Sequence, residues 1–250
     1  MRALKYDFVT AEGLTAVRSA KICPDDLTVH KDEGPGPVRA RAMGMFRRVL
    51  VYEEYSVMKK IACLFPGIGY TCDKPLLYYS WKMLKGLGWE IVPVEYSGFP
   101  SGVKGNAEKM QQCAHMALEQ AEEILQEIDW NEYDEILFIG KSVGTVVCAA
   151  YAKRHRLRCR QVLFTPVEAA FGFAGRDSIV FHGTADPWAD TKAVEIWCKE
   201  LNLPLYETEG ANHSLETGDV DADIKEIRSV MKTVRKYIQH STAGTGGPDE

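Results

Sequence analysis

The sequence predicts an α/β protein: a doubly wound, mostly parallel sheet of about six core strands with helices on both faces. Two observations predict it. Between residues 58 and 240, short β-rich runs alternate with longer segments of helical spacing, and such alternation closes right-handed βαβ units. Several strand runs are also apolar nearly throughout, as in Ile136-Leu137-Phe138-Ile139 and Ile179-Val180-Phe181. A strand covered by helices on both faces reads that way.

The elements follow in chain order. Residues 1–57 stand apart from the alternation. Segments 6–10 and 14–22, separated by Ala11-Glu12-Gly13, read as a hairpin at the sheet edge. Residues 32–37 (DEGPGP) are a loop, and 38–48 is arginine-rich without a clear period. A second reading makes 1–57 a loosely attached extension, with the compact domain spanning 58–240. In that domain, strands are expected at 61–65, 90–95, 135–139, 161–165, 178–182 and 205–208. Helices are expected at 74–87, 107–128, 143–155, 190–201 and 219–238. In the second helix Met110, Ala114, Ala117, Ala121, Ile124 and Ile128 form one stripe; in the last, Val220, Ile224, Ile227, Met231, Val234 and Ile238 do. Each stripe marks a face turned to the core. The tail 241–250 (STAGTGGPDE) is small, polar and glycine-rich, a composition expected to be disordered.

Composition narrows the function classes. Of 250 residues, 46% are hydrophobic and 26% charged, with a net charge of -5. An acidic net charge argues mildly against nucleic acid, whose phosphates are neutralised by a basic face, so nucleic acid is not an expected partner. No run approaches the roughly 20 apolar residues of a membrane span, and the N-terminus lacks the apolar core of a signal peptide. A cytoplasmic protein is expected. The seven cysteines are scattered, with no C-x-x-C pair, which suits reduced thiols better than a disulfide framework or a zinc site.

The strongest local signal is Gly140-Lys141-Ser142-Val143-Gly144. This G-x-S-x-G is entered by an apolar strand and left by an apolar helical run. A sharp strand-to-helix turn there, a nucleophile elbow, strains the serine and pushes its hydroxyl out of the sheet. The rival reading is a turn whose serine only caps the helix. Phosphate-binding patterns fail: a P-loop needs glycine where Glu135 stands, and the run from Gly67 lacks the third glycine of G-x-G-x-x-G, at Cys72. Lys141, beside Ser142, offers a charge that tunes the local potential or meets an anionic substrate, but its stem is long enough to carry the ammonium to solvent, and that is its expected place.

A serine hydroxyl needs a base, and the base needs an orienting acid. Of six histidines, His30 lies in the N-terminal part, His115 within a helix, His155 in a basic helix end and His240 at the tail. His182 ends a strand. His213 lies in a polar loop after the last strand, on the sheet edge that also carries Ser142, where parallel sheets place their sites. Asp186 is the first carboxylate after the 178–182 strand. Asp190 is better placed as a helix N-cap, and Glu168 is a weaker rival. For an oxyanion, one N–H is expected from Val143 and another from the loop after 61–65, at Ile68 or next at Gly69.

Taken together, these residues resemble the small, cap-less members of the α/β-hydrolase superfamily. The resemblance covers 61–238 and rests on Gly67 and Gly69, the elbow Gly140–Gly144, His182-Gly183-Thr184-Ala185-Asp186 and Asn212-His213. It implies a serine hydrolase that cleaves a small ester or thioester through an acyl-enzyme, with Ser142 as nucleophile, His213 as base and Asp186 as acid. It implies no metal and no cofactor. The link 166–177 is too short for a cap domain, so the site is expected to be open and shallow. Phe171 and Phe173 in that link either form a small lid or pack beneath the loop. Tyr70, Phe171, Phe173 and Trp188 are expected to line the acyl side. A peptidase or amidase on the same triad, or a non-catalytic ligand-binding relative, are the alternatives.

Overall fold

The structure, a computed structural model, describes residues 6–9, 15–18, 55–103 and 106–240. The expectations for the 32–37 loop, the 38–48 segment and the 241–250 tail lie outside the described residues. The chain divides into two compact units, Met1–Met58 and Lys59–Glu250. In the first, strands β1 (Tyr6–Val9), β2 (Thr15–Arg18) and β3 (Tyr55–Val57) form an antiparallel sheet in the order β1-β2-β3. The hairpin therefore pairs with β3 in a sheet of its own.

The second unit runs β4 (Lys60–Phe65), α1 (Pro75–Gly86), β5 (Glu90–Pro93), α2 (Ala107–Leu125), β6 (Glu135–Lys141), α3 (Val143–Arg154), β7 (Arg160–Phe164), β8 (Ser178–Gly183), α4 (Thr191–Glu200), β9 (Leu205–Thr208) and α5 (Val220–Gln239). Its six strands are all parallel, in the order β5-β4-β6-β7-β8-β9. The strand period of two splits the core cleanly. Ala62, Leu64, Leu137, Ile139, Val162, Phe164, Ile179 and Phe181 pack against α1 and α5. Ile61, Cys63, Phe65, Phe138, Leu163 and Val180 pack on the other face against α2, α3 and α4.

Helix starts are set by side chains. Asn106, Asp190 and Asp219 each accept a hydrogen bond from the N–H three residues on, at 2.8–3.0 Å. These side chains satisfy donors the helix leaves free. Asp190 is thereby a cap, as its sequence position suggests. Two stripes depart from expectation. In α2 the buried line is Cys113, Ala117, Ala121 and Leu125, while Ile124 is exposed. In α5, Val220 and Ile224 are 71% and 61% exposed, and only Val230, Val234 and Ile238 are buried. Periodicity identifies a face but not how far the sheet extends beneath it. Among the described residues, no helix is long and apolar enough to cross a membrane.

The strand order reverses between β4 and β6. From β4 the chain steps outward to β5, then returns to place β6 on the other side of β4. The loops leaving β4 and β6 thus open a crevice at the carboxyl edge, where sites form in parallel sheets.

Candidate active site

Ser142 directly follows β6 and is the N-cap of α3, with φ 55° and ψ -122°. A non-glycine residue there is strained, and the strain is held from several sides. Its N–H donates to Phe164 O at 3.0 Å, and its carbonyl accepts from Thr145 N at 2.9 Å and Thr145 Oγ1 at 2.6 Å. The flanking glycines are steric requirements. A Cβ on Gly144 would lie 2.0 Å from Phe65 O, and one on Gly140 2.7 Å from Gly144 O.

Two further loops converge on Ser142. The β8 loop carries Asp186, and the β9 loop carries His213. They are knit together by Ala185 N–H donating to Ala211 O at 2.9 Å and Gly210 N–H to Thr184 Oγ1 at 2.8 Å. Thr165 Oγ1 donates to His213 O at 2.9 Å, and Asn212 Oδ1 accepts from Ser214 N at 2.7 Å. The result is an unbroken chain of side chains. Asp186 Oδ2 lies 2.7 Å from His213 Nδ1, and His213 Nε2 lies 2.8 Å from Ser142 Oγ. A carboxylate only accepts, so the imidazole proton belongs on Nδ1 and Nε2 is left to accept from the serine hydroxyl. The Asp186 side chain is fully buried, and its other oxygen accepts from Trp188 N at 2.8 Å. Burial lowers the affinity of His213 for a second proton. Asp186 opposes that effect, and the nearby Lys141 charge adds to it.

The loop after β4 is a tight turn. Gly67 and Tyr70 exchange both backbone hydrogen bonds, at 3.0 and 3.2 Å, and Gly69 at φ 72° takes the left-handed position of a type II turn. Gly67 lies against the elbow: a Cβ there would be 3.1 Å from Ser142 Cβ. Ile68 lines a 380 Å³ cavity with Ser142, His213, Trp188, Met110, Pro100, Gly102 and Val103. Gly69 is not among the residues that line this cavity; it is exposed, with nothing within 4 Å of a Cβ. Neither Ile68 N–H nor Val143 N–H has a hydrogen-bond partner among the described residues.

The expected acyl-side residues separate. Trp188 lines the cavity, its ring 5.8 Å from that of His213. Tyr70 does not line it: its ring is in the core, and its hydroxyl accepts from Leu76 N at 3.1 Å. Phe171 is 6% exposed and lies 5.0 Å from Trp197, packed beneath the loop. Phe173, two residues on, is 41% exposed and lines a second, larger space. That space is a 1280 Å³ groove with a mostly apolar wall, formed by α2, α3 and residues 167–173. It shares Met110 and Trp188 with the smaller cavity, so the shallow site expected from the missing cap extends sideways. Small side chains at Ala114, Ala150 and Ala169 leave it unfilled.

Lys141 also departs from expectation. It is 1% exposed rather than solvated. Its Nζ sits 4.8 Å from the centre of the Tyr70 ring, and burial pushes its ammonium down to about 7 against the pull of Asp186 and Glu216. At the end of β6 its side chain packs against the Tyr70 ring instead of extending into solvent. Met110 and Thr165 are site residues that sequence reasoning missed. Met110 heads a helical stripe that reads as core, and Thr165 carries no motif. Among the described residues, no group of three His, Cys, Asp or Glu is placed to hold a metal ion.

No protein-family model matches the chain, and no curated protein matches it. Solved structures do. A serine hydrolase without a lid from Xanthomonas campestris aligns over 98% of this chain and 97% of its own, at 13% identity and a TM-score of 0.51. A serine hydrolase homologue from Coxiella burnetii covers 71% of this chain and 84% of its own, at 18% identity and a TM-score of 0.51. Est1E from Butyrivibrio proteoclasticus, with ferulic acid bound, covers 72% of this chain and 90% of its own, at 12% identity and a TM-score of 0.54. The likeness is one of architecture and connectivity, and on it the chain has the α/β-hydrolase fold in its form without a cap domain.

Proposed function

We propose that the protein is a serine hydrolase that cleaves a small ester or thioester through an acyl-enzyme. The observation that carries this reading is the continuous hydrogen-bonded chain Asp186, His213, Ser142, ending at a strained serine beside two unpartnered N–H groups. A serine that only capped a helix would accept from the first turn, whereas the Ser142 side chain makes no such bond.

In the proposed reaction Ser142 Oγ bonds to the substrate carbonyl carbon as its proton passes to His213 Nε2. Asp186 holds the imidazole tautomer and balances the imidazolium. The N–H groups of Val143 and Ile68 receive the oxyanion, which costs little reorganisation because both are already fixed. As the intermediate collapses, the bond from carbonyl carbon to the leaving oxygen or sulfur breaks, and His213 returns its proton to that atom. Water then attacks the acyl-enzyme, giving its proton to His213. Ser142 recovers the proton as the carboxylic acid leaves. Trp188 flanks His213 and closes one side of the pocket.

The test is covalent labelling with a fluorophosphonate probe. Wild type is expected to label at Ser142, located by mass spectrometry. Ser142→Ala is expected not to label, and His213→Ala to label at least about a hundredfold more slowly. A folded wild type that does not label would sink the reading.

A further inference from the structure

Two apolar stripes run away from Ser142 along neighbouring helices. On α2, Met110, Ala114 and Leu118 stand at i, i+4 and i+8; on α3, Val143, Val146 and Ala150 stand at i, i+3 and i+7. These spacings keep each set on one helix face. Both stripes begin at the serine. Met110 lines the cavity that holds Ser142 and His213, and Val143 is the next residue after the nucleophile. At 1.5 Å per residue, the stripes are about 12 Å and about 10 Å long. Residues Val167, Ala169 and Phe173 form the facing wall. Phe173 marks the far end, since its ring lies 5.4 Å from Nζ of Lys153, one turn beyond Ala150. The polar lining residues Asn106, Glu108, Gln111, Gln112, His115 and Glu168 are all exposed and form the rim.

From this geometry we infer that the groove is the acyl-chain site, and that the preferred acyl group is a linear, medium-length alkyl chain. The inference rests on the hydrolase reading above and specifies its substrate. A substrate carbonyl at Ser142 sends its acyl chain past Val143 and Trp188 into the groove. The apolar wall runs the length of both stripes, so it gives contact along an extended chain, where a compact acyl group would leave most of that wall wet. An extended chain of roughly eight to ten carbons spans the 10–12 Å of helix face. Longer chains pass Phe173 into solvent and gain nothing more. The open rim leaves the leaving group outside the groove, so discrimination falls on the acyl side.

The experiment is a chain-length profile of p-nitrophenyl esters from acetate to laurate, on wild type and on Ala114→Trp and Ala150→Phe. Each methylene buried contributes up to about fourfold, so kcat/KM is expected to rise at least tenfold from acetate to octanoate and then level. Both variants put bulk into the groove, and in each the octanoate-to-acetate ratio is expected to fall at least tenfold. Circular dichroism selects the variants that fold, and either one decides the matter. Turnover of acetate with a flat or falling profile overturns this inference alone, as does an unchanged ratio in a folded variant. Absence of both ester turnover and fluorophosphonate labelling in folded wild type overturns the hydrolase reading and this inference with it.

Discussion

Lys141 is the residue where burial and charge conflict most directly. The residue is 1% exposed, and its ammonium lies 4.8 Å from the centre of the Tyr70 ring, within the field of Asp186 and Glu216. Its proton affinity is lowered from 10.5 to about 7. Between those two pH values the unfolded chain holds a proton that the folded chain has shed, so stability rises with pH across that window. The penalty is complete below pH 7. Lys141→Met removes it, and the variant is expected to be more stable than wild type at pH 6. The difference should close by roughly 1 kcal/mol per pH unit between pH 7 and 10. Urea unfolding at pH 6 and pH 9 measures it, and an equal difference at both would refute the argument. The same change acts on His213. With the neighbouring cation gone, His213 is expected to hold its proton to higher pH, moving the acid limb of kcat/KM upward. The lysine itself was visible in the sequence, but its burial was not: a flexible stem beside a turn reads as solvated, and the tertiary contact with the Tyr70 ring carries no local signal.

At the scale of elements, placement that depends on adjacent backbones was legible, and placement that depends on packing between helices was not. The elbow glycines, the order of serine, aspartate and histidine, and their places after β6, β8 and β9 follow from motif and alternation. Tyr70 and Phe171 looked like pocket residues because each stands near a site loop. The structure buries both, since an aromatic beside a tight turn gains more from the core than from the cavity. The groove had no signature at all, because a stripe such as Met110, Ala114 and Leu118 reads the same whether it meets another helix or an open space. The elbow offers a sharp test. Gly144→Ala would place a Cβ 2.0 Å from Phe65 O and 2.6 Å from Pro66 O, both backbone atoms. The start of α3 must then move away from the β4 loop, separating the N–H groups of Val143 and Ile68. Overpacking of this kind costs about 2–3 kcal/mol, a fall in Tm of roughly 5–10 °C, and labelling of Ser142 is expected to slow more than tenfold. Gly86→Ala is the control. Its Cβ meets nothing within 4 Å, and in a helix it is expected to leave Tm level or slightly raised.

For the molecule as a whole, the question is which part of the chain is needed to hold the site. Every residue of the proposed machinery lies between Ile68 and His213, inside the unit Lys59–Glu250. That unit closes both faces of its own sheet. The α1 and α5 side has a continuous core from Ala62 to Ile238, and the other side has one from Ile61 to Leu203. The edge strands β5 and β9 are short, with four residues each, which limits the unpaired backbone they expose. A chain that begins at Met58 and ends at His240 keeps all of these contacts, and a unit of this size can bury a full core. Such a chain is expected to fold cooperatively and to label at Ser142 at a rate within about threefold of the full-length protein, which is the context-dependence of such contributions at unrelated sites. Circular dichroism melting and fluorophosphonate labelling on the truncated and full chains decide it. A truncated chain that melts without a transition, or that folds and labels more than tenfold slower, would mean that residues 1–57 contribute to the site or to the core, and the two units would have to be treated as one.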